Sequence, residues 1–319
     1  MNVMKWKKYG RIFDPTNRAP FMMSYAQNPN ALEADDRLRI FFTCRGEKSS
    51  TGFISQTAYA DFEKEPPFKL IEVASNPVMT LGGPGDFDEF GIMPGSVISV
   101  PESNEVWMYY VGWTRMVSVP YKWQVGLAIS EDGGKSFRRY SRGPILGGET
   151  FDPYLQACPR VWRFGPHDWL MYYNSGTEWN TIDNKMESVY LTRKAISCDG
   201  INWSREEPLI IPTKVESECQ TSASLFRTQD RWAMLFSYRY GLDFRNRDKG
   251  YRIGLIHSDD RENWRRDDDV FGINVSDSGW DSEMLCYPHV FDLNSKKHVL
   301  YCGNYFGRDG FGIAELIEN

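Results

Sequence analysis

The fold is decided by Trp107-Met108-Tyr109-Tyr110 and by Ala128-Ile129-Ser130-Glu131-Asp132-Gly133, which Phe137 follows. The first stretch is an apolar strand. The second ends a strand at serine, turns through an Asp-Gly pair and starts a new strand at the aromatic residue. Copies follow at Leu170-Met171-Tyr172-Tyr173, Ala195-Ile196-Ser197-Cys198-Asp199-Gly200 with Trp203, Ala233-Met234-Leu235-Phe236, and Ile256-His257-Ser258-Asp259-Asp260 with Trp264. This repetition predicts a series of equivalent supersecondary units.

A further short strand precedes each Met-Tyr strand. Its copies are Pro29-Asn30-Ala31-Leu32, Pro94-Gly95-Ser96-Val97, Pro159-Arg160-Val161, Ser222-Ala223-Ser224-Leu225 and Pro288-His289-Val290. Weaker Met-Tyr copies at Arg39-Ile40-Phe41-Phe42 and Val299-Leu300-Tyr301-Cys302 complete a spacing of about 65 residues. Each unit has four strands, and no segment shows a sustained helical period. We therefore predict an all-β fold, a five-bladed β-propeller with four-stranded blades that occupies residues 1–319 as one domain.

The two ends of the chain predict how the ring closes. The last unit stops at Gly312-Ile313-Ala314-Glu315-Leu316, with no fourth strand after it. An unassigned strand at Lys5–Phe13 resembles the fourth strands Ser136–Tyr140 and Asn202–Arg205. We expect the N-terminal strand to complete the last blade, which leaves only protected sheet edges.

Composition excludes several classes of function. The net charge of −6 and the pI near 5.4 argue against nucleic-acid binding, and no apolar run of membrane-spanning length is present. The first residues lack the apolar core of a secretory signal, so we expect a cytoplasmic protein. Six scattered cysteines and four scattered histidines form no metal-ligand spacing, so no metal site and no cofactor are predicted. Loop carboxylates could still hold a structural Ca²⁺.

Carboxylates gather in the loops that enter the first strand of a unit. Propeller geometry brings such loops to one face, and glycosidic bond cleavage needs two carboxyl groups, one protonated and one ionised. We therefore interpret six of them as catalytic candidates, with Glu218 and Glu283 as the leading acids. The alternative is that these residues are solvated loop positions or turn caps. The candidates are Asp88, Glu89, Asp152, Glu218, Asp281 and Glu283.

Most ligand-binding candidates follow the Met-Tyr strands, and His289 lies on the short strand that precedes the last of them. A guanidinium group can donate two hydrogen bonds at once to a carboxylate, a phosphate or neighbouring sugar hydroxyls, and a tryptophan ring can stack on the face of a sugar. The loop that carries Arg245 and Arg247 is basic in an acidic protein, which favours an anionic ligand such as a sugar nucleotide. The alternatives are packed aromatics, structural ion pairs and a solvated loop. The candidates are Arg45, Trp113, Trp179, Arg239, Arg245, Arg247, His289 and Asn304.

The sequence also resembles the five-bladed propeller glycoside hydrolases, which include arabinanases, xylosidases and fructosidases, and the related mannoside phosphorylases. Within this group it is similar to a bacterial subgroup of family 43-like glycosidases that accompany surface-polysaccharide biosynthesis. The stretches that carry this resemblance are Phe87–Pro94, Gly279–Met284 with Tyr287-Pro288, and Gly303–Gly307 with Gly310–Gly312.

The resemblance implies a base Asp from the first blade, a second Asp that tunes pKa and a Glu acid. Asp152 and Glu218 match the general positions of the latter two. The first blade has Ser24-Tyr25-Ala26-Gln27-Asn28 where the base is expected. Three functions stay open: a glycosidase, a glycosyltransferase or phosphorylase that uses a sugar nucleotide or sugar phosphate, and a non-catalytic sugar-binding protein.

Overall fold

A computed structural model describes residues 3–34, 36–47 and 52–318. The described residues form twenty strands, which are arranged in five four-stranded antiparallel ladders, numbered here I to V. Ladder I contains β2 (Ser24–Glu33), β3 (Leu38–Arg45), β4 (Ser55–Phe62) and β5 (Leu70–Val73). Ladder II contains β6 (Gly91–Val100), β7 (Glu105–Arg115), β8 (Tyr121–Ser130) and β9 (Arg138–Arg139).

The remaining ladders repeat the same order. Ladder III contains β10 (Gln156–Gly165), β11 (Asp168–Ile182), β12 (Lys185–Ser197) and β13 (Ser204–Leu209). Ladder IV contains β14 (Cys219–Arg227), β15 (Trp232–Arg239), β16 (Arg252–Ser258) and β17 (Arg265–Arg266). Ladder V contains β18 (Cys286–Leu293), β19 (Lys296–Cys302), β20 (Phe311–Glu318) and β1 (Lys5–Phe13). Within the described ranges, helical structure is limited to a 3-10 turn at Asp268–Val270 and a short turn, α1, at Asn304–Gly307.

The predicted serine-to-aspartate turns join the third and fourth strands of ladders II, III and IV. In each turn the serine hydroxyl donates to the carboxylate two residues later, and that carboxylate accepts backbone N–H groups from the residues that follow. The three pairs are Ser130–Asp132 at 2.7 Å, Ser197–Asp199 at 2.9 Å and Ser258–Asp260 at 2.8 Å. The side chain therefore fixes the turn locally.

The N-terminal strand pairs with the last strand, as predicted. Antiparallel β1 and β20 place Lys5 opposite Glu318 and Phe13 opposite Phe311. The N-terminal residues therefore supply the fourth strand that the last ladder lacks. Ladders I and II are joined by one parallel bridge between Ser55 and Gly91, which makes them a single eight-stranded sheet.

Apolar side chains fill the space between neighbouring ladders. Aromatic pairs cross these interfaces with ring centroids 4.8 to 6.4 Å apart, within or near the usual range for such pairs. The pairs are Phe41–Phe137, Trp107–Trp169, Tyr172–Trp264 and Phe13–Phe42. The innermost strands contact one another in the order β2, β6, β10, β14 and β18, and β18 contacts β2 again. The candidate site lies where these strands meet.

Candidate functional site

Each of the five innermost strands contains a β-bulge. The pairing register shifts between Gln27 and Asn30, Pro94 and Ser96, Ala157 and Arg160, Thr221 and Ser224, and Cys286 and His289. Four bulges place a non-glycine residue at positive φ: Asn28, Cys158, Ser222 and Tyr287. In β6 the bulge contains Gly95, where an added Cβ would lie 2.5 Å from the Pro159 carbonyl oxygen. A bulge re-aims side chains, and here it turns them towards the common axis.

The bulges form the floor of a central cavity of about 210 Å³. All five innermost strands contribute to its lining, through Gln27 and Asn28, Met93, Ala157 and Cys158, Thr221, and Tyr287. The second and third strands and α1 add the walls, with Thr43, Arg45, Val111, Trp123, Asn174, Tyr190, Tyr251 and Phe306. Among the residues that the structure describes, Arg45 carries the one formal charge in this lining.

A second cavity of about 350 Å³, the side cavity, opens beside the first. Arg45, Met93 and Trp123 line both cavities, so the two are neighbours. Tyr121 and Trp123 alternate on β8 and stack with ring centroids 4.4 Å apart and planes 9° apart. The remaining lining residues are Gly52, Phe53, Ser55, Trp113, Arg115 and Pro120.

The predicted Trp113 forms part of the side cavity, and its position depends on glycine. A Cβ added at Gly91 would lie 1.6 Å from the Trp113 ring nitrogen, so only glycine lets the indole pack there. The predicted Trp179 lies outside both linings. It contacts Tyr121 at 5.3 Å between ring centroids and supports the aromatic wall from behind.

Arg239 lies beneath the central cavity. It is 4% exposed, its guanidinium lies 3.7 Å from the Phe244 ring centroid, and it donates to the Tyr240 carbonyl and the Tyr190 hydroxyl. Tyr190 in turn bonds the Tyr251 hydroxyl at 2.5 Å. Arg239 therefore supports two tyrosines of the lining and is not itself in it.

The basic loop is also held by the protein. Arg245 donates to Glu187 at 3.2 Å and packs over Phe244, while the side chain of Arg247 is exposed and its carbonyl accepts a hydrogen bond from the Arg252 guanidinium. Neither side chain lines the central or the side cavity. The expectation that Arg239, Arg245 and Arg247 surround one anion is not matched by this arrangement, because the first two are already occupied by rings and a carboxylate.

None of the six predicted carboxylates lines the central cavity or the side cavity. Four are buried and pair with a basic residue on the outermost strand of their own ladder, an arrangement that we call the carboxylate clasp. The pairs are Asp88–Arg139 at 2.8 Å, Asp152–Arg205 at 3.4 Å, Glu218–Arg266 at 2.8 Å and Asp281–Lys8 at 2.8 Å.

Tyrosines complete three of the clasps. Tyr110 donates to Asp88 at 3.0 Å, Tyr173 to Asp152 at 2.9 Å and Tyr301 to Asp281 at 3.4 Å. Burial, and then the adjacent carboxylate, raises the pKa of each phenol, so each remains a neutral donor. The clasp thus joins the entry loop, the second strand and the outermost strand of a ladder, which explains why the carboxylates repeat at one register.

Glu218 forms its clasp without tyrosine. It accepts from the Lys214 and Val215 backbone N–H groups and from the Gln220 amide, besides Arg266. The two remaining candidates are half-buried and form no salt bridge with a described residue. Glu89 accepts from the Gly85 N–H at 3.0 Å. The backbone of Glu283 is fixed by the side chains of Asn304 and Arg252.

No protein-family model matches the sequence. Over 320 residues it is 32% identical to the uncharacterized protein Rv1502 of Mycobacterium tuberculosis strain H37Rv, an alignment that covers 99% of this chain and 100% of the relative. This protein belongs to the Rv1502 family. A second member, MT1551 of strain CDC 1551, matches at the same identity and coverage.

Solved structures share the fold of this Rv1502 family member. The complex of BT0996 with RGII superposes with a TM-score of 0.74 at 16% identity, covering 98% of this chain and 92% of that protein. A structure from the GH130 family of mannoside phosphorylases gives 0.69 at 13% identity, covering 98% and 94%. A thermostable family-43 glycoside hydrolase gives 0.65 at 13% identity, covering 93% and 90%. The fold is that of propeller-type glycoside hydrolases.

The site of this Rv1502 family member includes residues that sequence reasoning missed. Arg115, Tyr121, Trp123 and Tyr190 line the cavities. The signal for Tyr121 and Trp123 is the aromatic-x-aromatic alternation at the start of β8. The clasps are also marked in the sequence by an aromatic-x-basic pattern on the outermost strand, in which the basic residue pairs with the carboxylate of the entry loop. It reads Trp6-x-Lys8, Phe137-x-Arg139, Trp203-x-Arg205 and Trp264-x-Arg266.

Asn304 and His289 of this Rv1502 family member, both predicted ligand contacts, lie outside the linings of the central and side cavities. Asn304 accepts from the backbones of Glu283 and Met284 and donates to the Gly279 carbonyl, which fixes the entry loop of ladder V. His289 lies below the cavity floor beside Arg160. No described group of three or more His, Cys, Asp or Glu residues could hold a metal ion, and no described helix has the length and hydropathy needed to cross a membrane.

Arg160 joins three of the innermost strands. It is 1% exposed and donates to Asn28 at 2.7 Å and Asn30 at 2.5 Å on β2, and to the His289 Nδ1 at 3.2 Å on β18. Burial lowers the pKa of Arg160 to about 10, so it stays charged at neutral pH. Burial, and then Arg160, hold the pKa of His289 well below its ordinary value.

The contact between Arg160 and His289 predicts that the free energy of unfolding decreases at acidic pH. The unfolded chain takes up a proton at His289 below about pH 6.5, whereas the folded chain keeps this ring neutral until its lower pKa is reached. The free energy of unfolding should therefore fall by up to about 1.4 kcal/mol per pH unit below pH 6.5 from this group. His289→Gln should make that slope shallower in urea titrations, and the exposed control His167→Gln should leave it unchanged. Equal slopes in wild type and His289→Gln would contradict the assignment.

Proposed function

We propose that this protein is a glycosidase-like carbohydrate-active enzyme whose sugar substrate binds in the central cavity. In this proposal the five ladders are the blades of a closed five-bladed propeller, and the cavity lies at the mouth of its axis. The cyclic order of contacts among the innermost strands and the pairing of β1 with β20 support that arrangement. The shared fold with propeller-type hydrolases favours carbohydrate chemistry but assigns no reaction.

The chemistry of the central cavity is the observation that carries the proposal. Its lining combines aromatic faces with side-chain amides and hydroxyls, for example Trp123, Tyr190, Gln27, Asn174 and Thr221. Aromatic faces cover the apolar C–H surface of a pyranose, while amides and hydroxyls exchange hydrogen bonds with its hydroxyl groups. A concave site with convergent polar groups is the usual form of a small-molecule site.

Glu283 is our proposed acid. The clasp occupies Asp88, Asp152, Glu218 and Asp281 with fixed cationic partners, which leaves them poorly suited to exchange protons. Glu283 forms no salt bridge with a described residue, lies on the loop that leads to the cavity residue Tyr287, and is fixed through its backbone by Asn304. Glu89, on the corresponding loop of ladder II, is the second candidate.

A transferase or phosphorylase is the second candidate function. A hydrolase of the carboxylate type needs a base to activate water. Among the described residues no carboxylate lines the central cavity, whereas Arg45 does. In phosphorolysis, phosphate is the nucleophile, and in transfer from a sugar nucleotide, the nucleoside diphosphate is the leaving group. Either anion could pair with Arg45, and neither reaction needs a carboxylate base in the cavity to activate water. The expected cytoplasmic location stays a prediction.

The experiment that tests these proposals combines binding with product analysis. The purified protein is titrated by calorimetry with neutral disaccharides, sugar phosphates and nucleotide sugars, and any ligand that binds is incubated with and without inorganic phosphate. Free sugar indicates hydrolysis, a sugar 1-phosphate that forms only with phosphate indicates phosphorolysis, and binding without turnover indicates a sugar-binding protein. Failure of every carbohydrate to bind, or binding unaffected by Trp123→Ala, would refute the proposed site.

Once a substrate is found, Glu283→Gln should lower kcat by about 100-fold or more, the usual effect of losing a general acid. The urea midpoint should stay unchanged, because the half-buried carboxylate pairs with no described cation. Glu216→Gln, on the entry loop of ladder IV, is the matched control because Glu216 is exposed, and it should keep full activity. Full activity in Glu283→Gln would remove this residue from the mechanism.

A further inference from the structure

About half of the arginines of this protein form salt bridges with carboxylates in the part of the chain that the structure describes, for example Arg39–Asp61 at 2.7 Å and Arg139–Asp88 at 2.8 Å, each within one ladder. Arg45 and Arg115 form no salt bridge with a described residue, and, unlike the buried Arg160 and Arg239, both line the side cavity. The described lining of the side cavity therefore carries positive charge in a protein whose net charge is −6.

Arg45 is held by an aromatic ring and not by a described carboxylate. Its guanidinium lies 4.4 Å from the Tyr25 ring centroid, and its one hydrogen bond to a described residue, to the Gln27 amide oxygen, is 3.5 Å long. Its Nε is buried and has no hydrogen-bond partner among the described residues. A guanidinium carries five N–H donors, so most donors of Arg45 are not committed to any residue that the structure describes.

Arg115 is also held by an aromatic ring and one hydrogen bond. Its guanidinium stacks 4.0 Å from the Phe90 ring centroid, and it donates one bond to the Phe53 carbonyl at 3.2 Å. Stacking on a ring restricts a guanidinium without neutralising it. The side cavity therefore has two preorganised cations and no described carboxylate.

The aromatic wall limits what such an anion can be. Tyr121 and Trp123 are stacked with nearly parallel planes, and Trp113 belongs to the same lining. A bare inorganic anion would make no use of the aromatic surface that lines the cavity. A sugar ring that carries an anionic group would satisfy both parts of the cavity.

We propose that the side cavity is a subsite for an anionic sugar residue, whose carboxylate or phosphate is bound by Arg45 and Arg115 and whose ring packs on the wall formed by Tyr121 and Trp123. This proposal rests on the proposed function and specifies its substrate class. Arg45 and Trp123 line both cavities, so a glycoside whose anionic residue occupies the side cavity extends its next residue into the central cavity. Forked guanidinium contacts suit the oxygens of either anionic group.

The test is calorimetric titration of the full-length protein with three probes: a glucuronic acid disaccharide, the matching neutral glucose disaccharide, and glucose 1-phosphate. An anionic probe should bind at least about tenfold more tightly than its neutral counterpart, since charge-assisted hydrogen bonds exceed the 1.4 kcal/mol that corresponds to a factor of ten. The advantage should shrink as NaCl rises. Preference for the uronate or for the phosphate identifies which anionic group the subsite takes.

Arg115→Gln should abolish this preference while retaining binding of the neutral probe. The control Arg138→Gln removes the same charge from an exposed position that pairs with Glu131, and it should keep the preference. Equal affinity for anionic and neutral probes, or a preference that survives Arg115→Gln, would overturn the subsite while leaving the proposed function standing. Absence of binding by all three probes would count against both proposals.

Discussion

A variant that lacks residues 1–13 should fail to fold. The deletion removes β1 and turns β20 into an open sheet edge. It also removes buried Phe13, the Lys8–Asp281 clasp, and the bond from the Trp6 ring to the Phe271 carbonyl. Truncating one buried phenylalanine to alanine typically costs about 3–5 kcal/mol. The whole free energy of unfolding of a domain is about 5–15 kcal/mol. The summed losses exceed that margin.

The matched control is a circular permutation that moves β1 from the start of the chain to a position after β20. Lys5 lies opposite Glu318 in the antiparallel pair, so a short Asn-Gly turn can join the end of β20 to the start of β1. This permuted variant should recover the near-ultraviolet circular dichroism and a cooperative urea transition, whereas the deleted variant should show neither. A deleted variant that unfolds cooperatively with the wild-type midpoint would show that β1 is dispensable.

Arg266→Met should lower the free energy of unfolding by about 3–5 kcal/mol, the usual cost of removing one partner from a buried ion pair. Arg266 is the partner of Glu218, whose side chain is fully buried, and it also contacts Asp268 at 3.0 Å. Methionine preserves the apolar stem but leaves both carboxylates short of a cation. The neighbouring Arg265 on the same strand is exposed, so Arg265→Met should change stability by less than about 0.5 kcal/mol.

The same experiment decides what Glu218 does. If the clasp is its role, Glu218→Gln loses stability, and the double variant with Arg266→Met loses less than the sum of the two single changes. If Glu218 is instead the catalytic acid, Glu218→Gln keeps its urea midpoint and loses only turnover. A loss below about 1 kcal/mol in Arg266→Met would contradict the structural assignment.

The strand repeats were predictable from sequence because their signals are local. Asp132, Asp199 and Asp260 fix their turns through neighbouring backbone groups, and the two-residue period of the Met-Tyr strands needs no tertiary information. The pairing of β1 with β20 was also predictable, because the last unit lacks a fourth strand and the N-terminal strand belongs to no other unit. The turns and the Met-Tyr strands depend on residues close to them in the chain, whereas the place of β1 depends on the strand count of the last ladder.

The site could not be predicted as well, because the same residue types serve two purposes. The repeat register placed the carboxylates ahead of the innermost strands. A clasp and a catalytic pair both require an Asp or Glu at that position, so the sequence alone does not distinguish them. Three of the basic partners lie about fifty residues from their carboxylate, as Arg139 does from Asp88, and Lys8 lies 273 residues from Asp281. Cavity residues such as Trp123 come from third strands, and the bulges that form the floor depend on contacts between ladders.

The pairing of β1 with β20 sets an order of events during synthesis. The two strands are separated by nearly the whole chain, and a ribosome that adds about 5–20 residues per second needs roughly 15–60 s between them. For that interval β1 has no partner, although its apolar residues are already outside the exit tunnel. Ladders I to IV can assemble as they emerge, but the final contact must wait for β20. The nascent polypeptide should therefore be most exposed to proteases and chaperones late in translation, at its oldest segment.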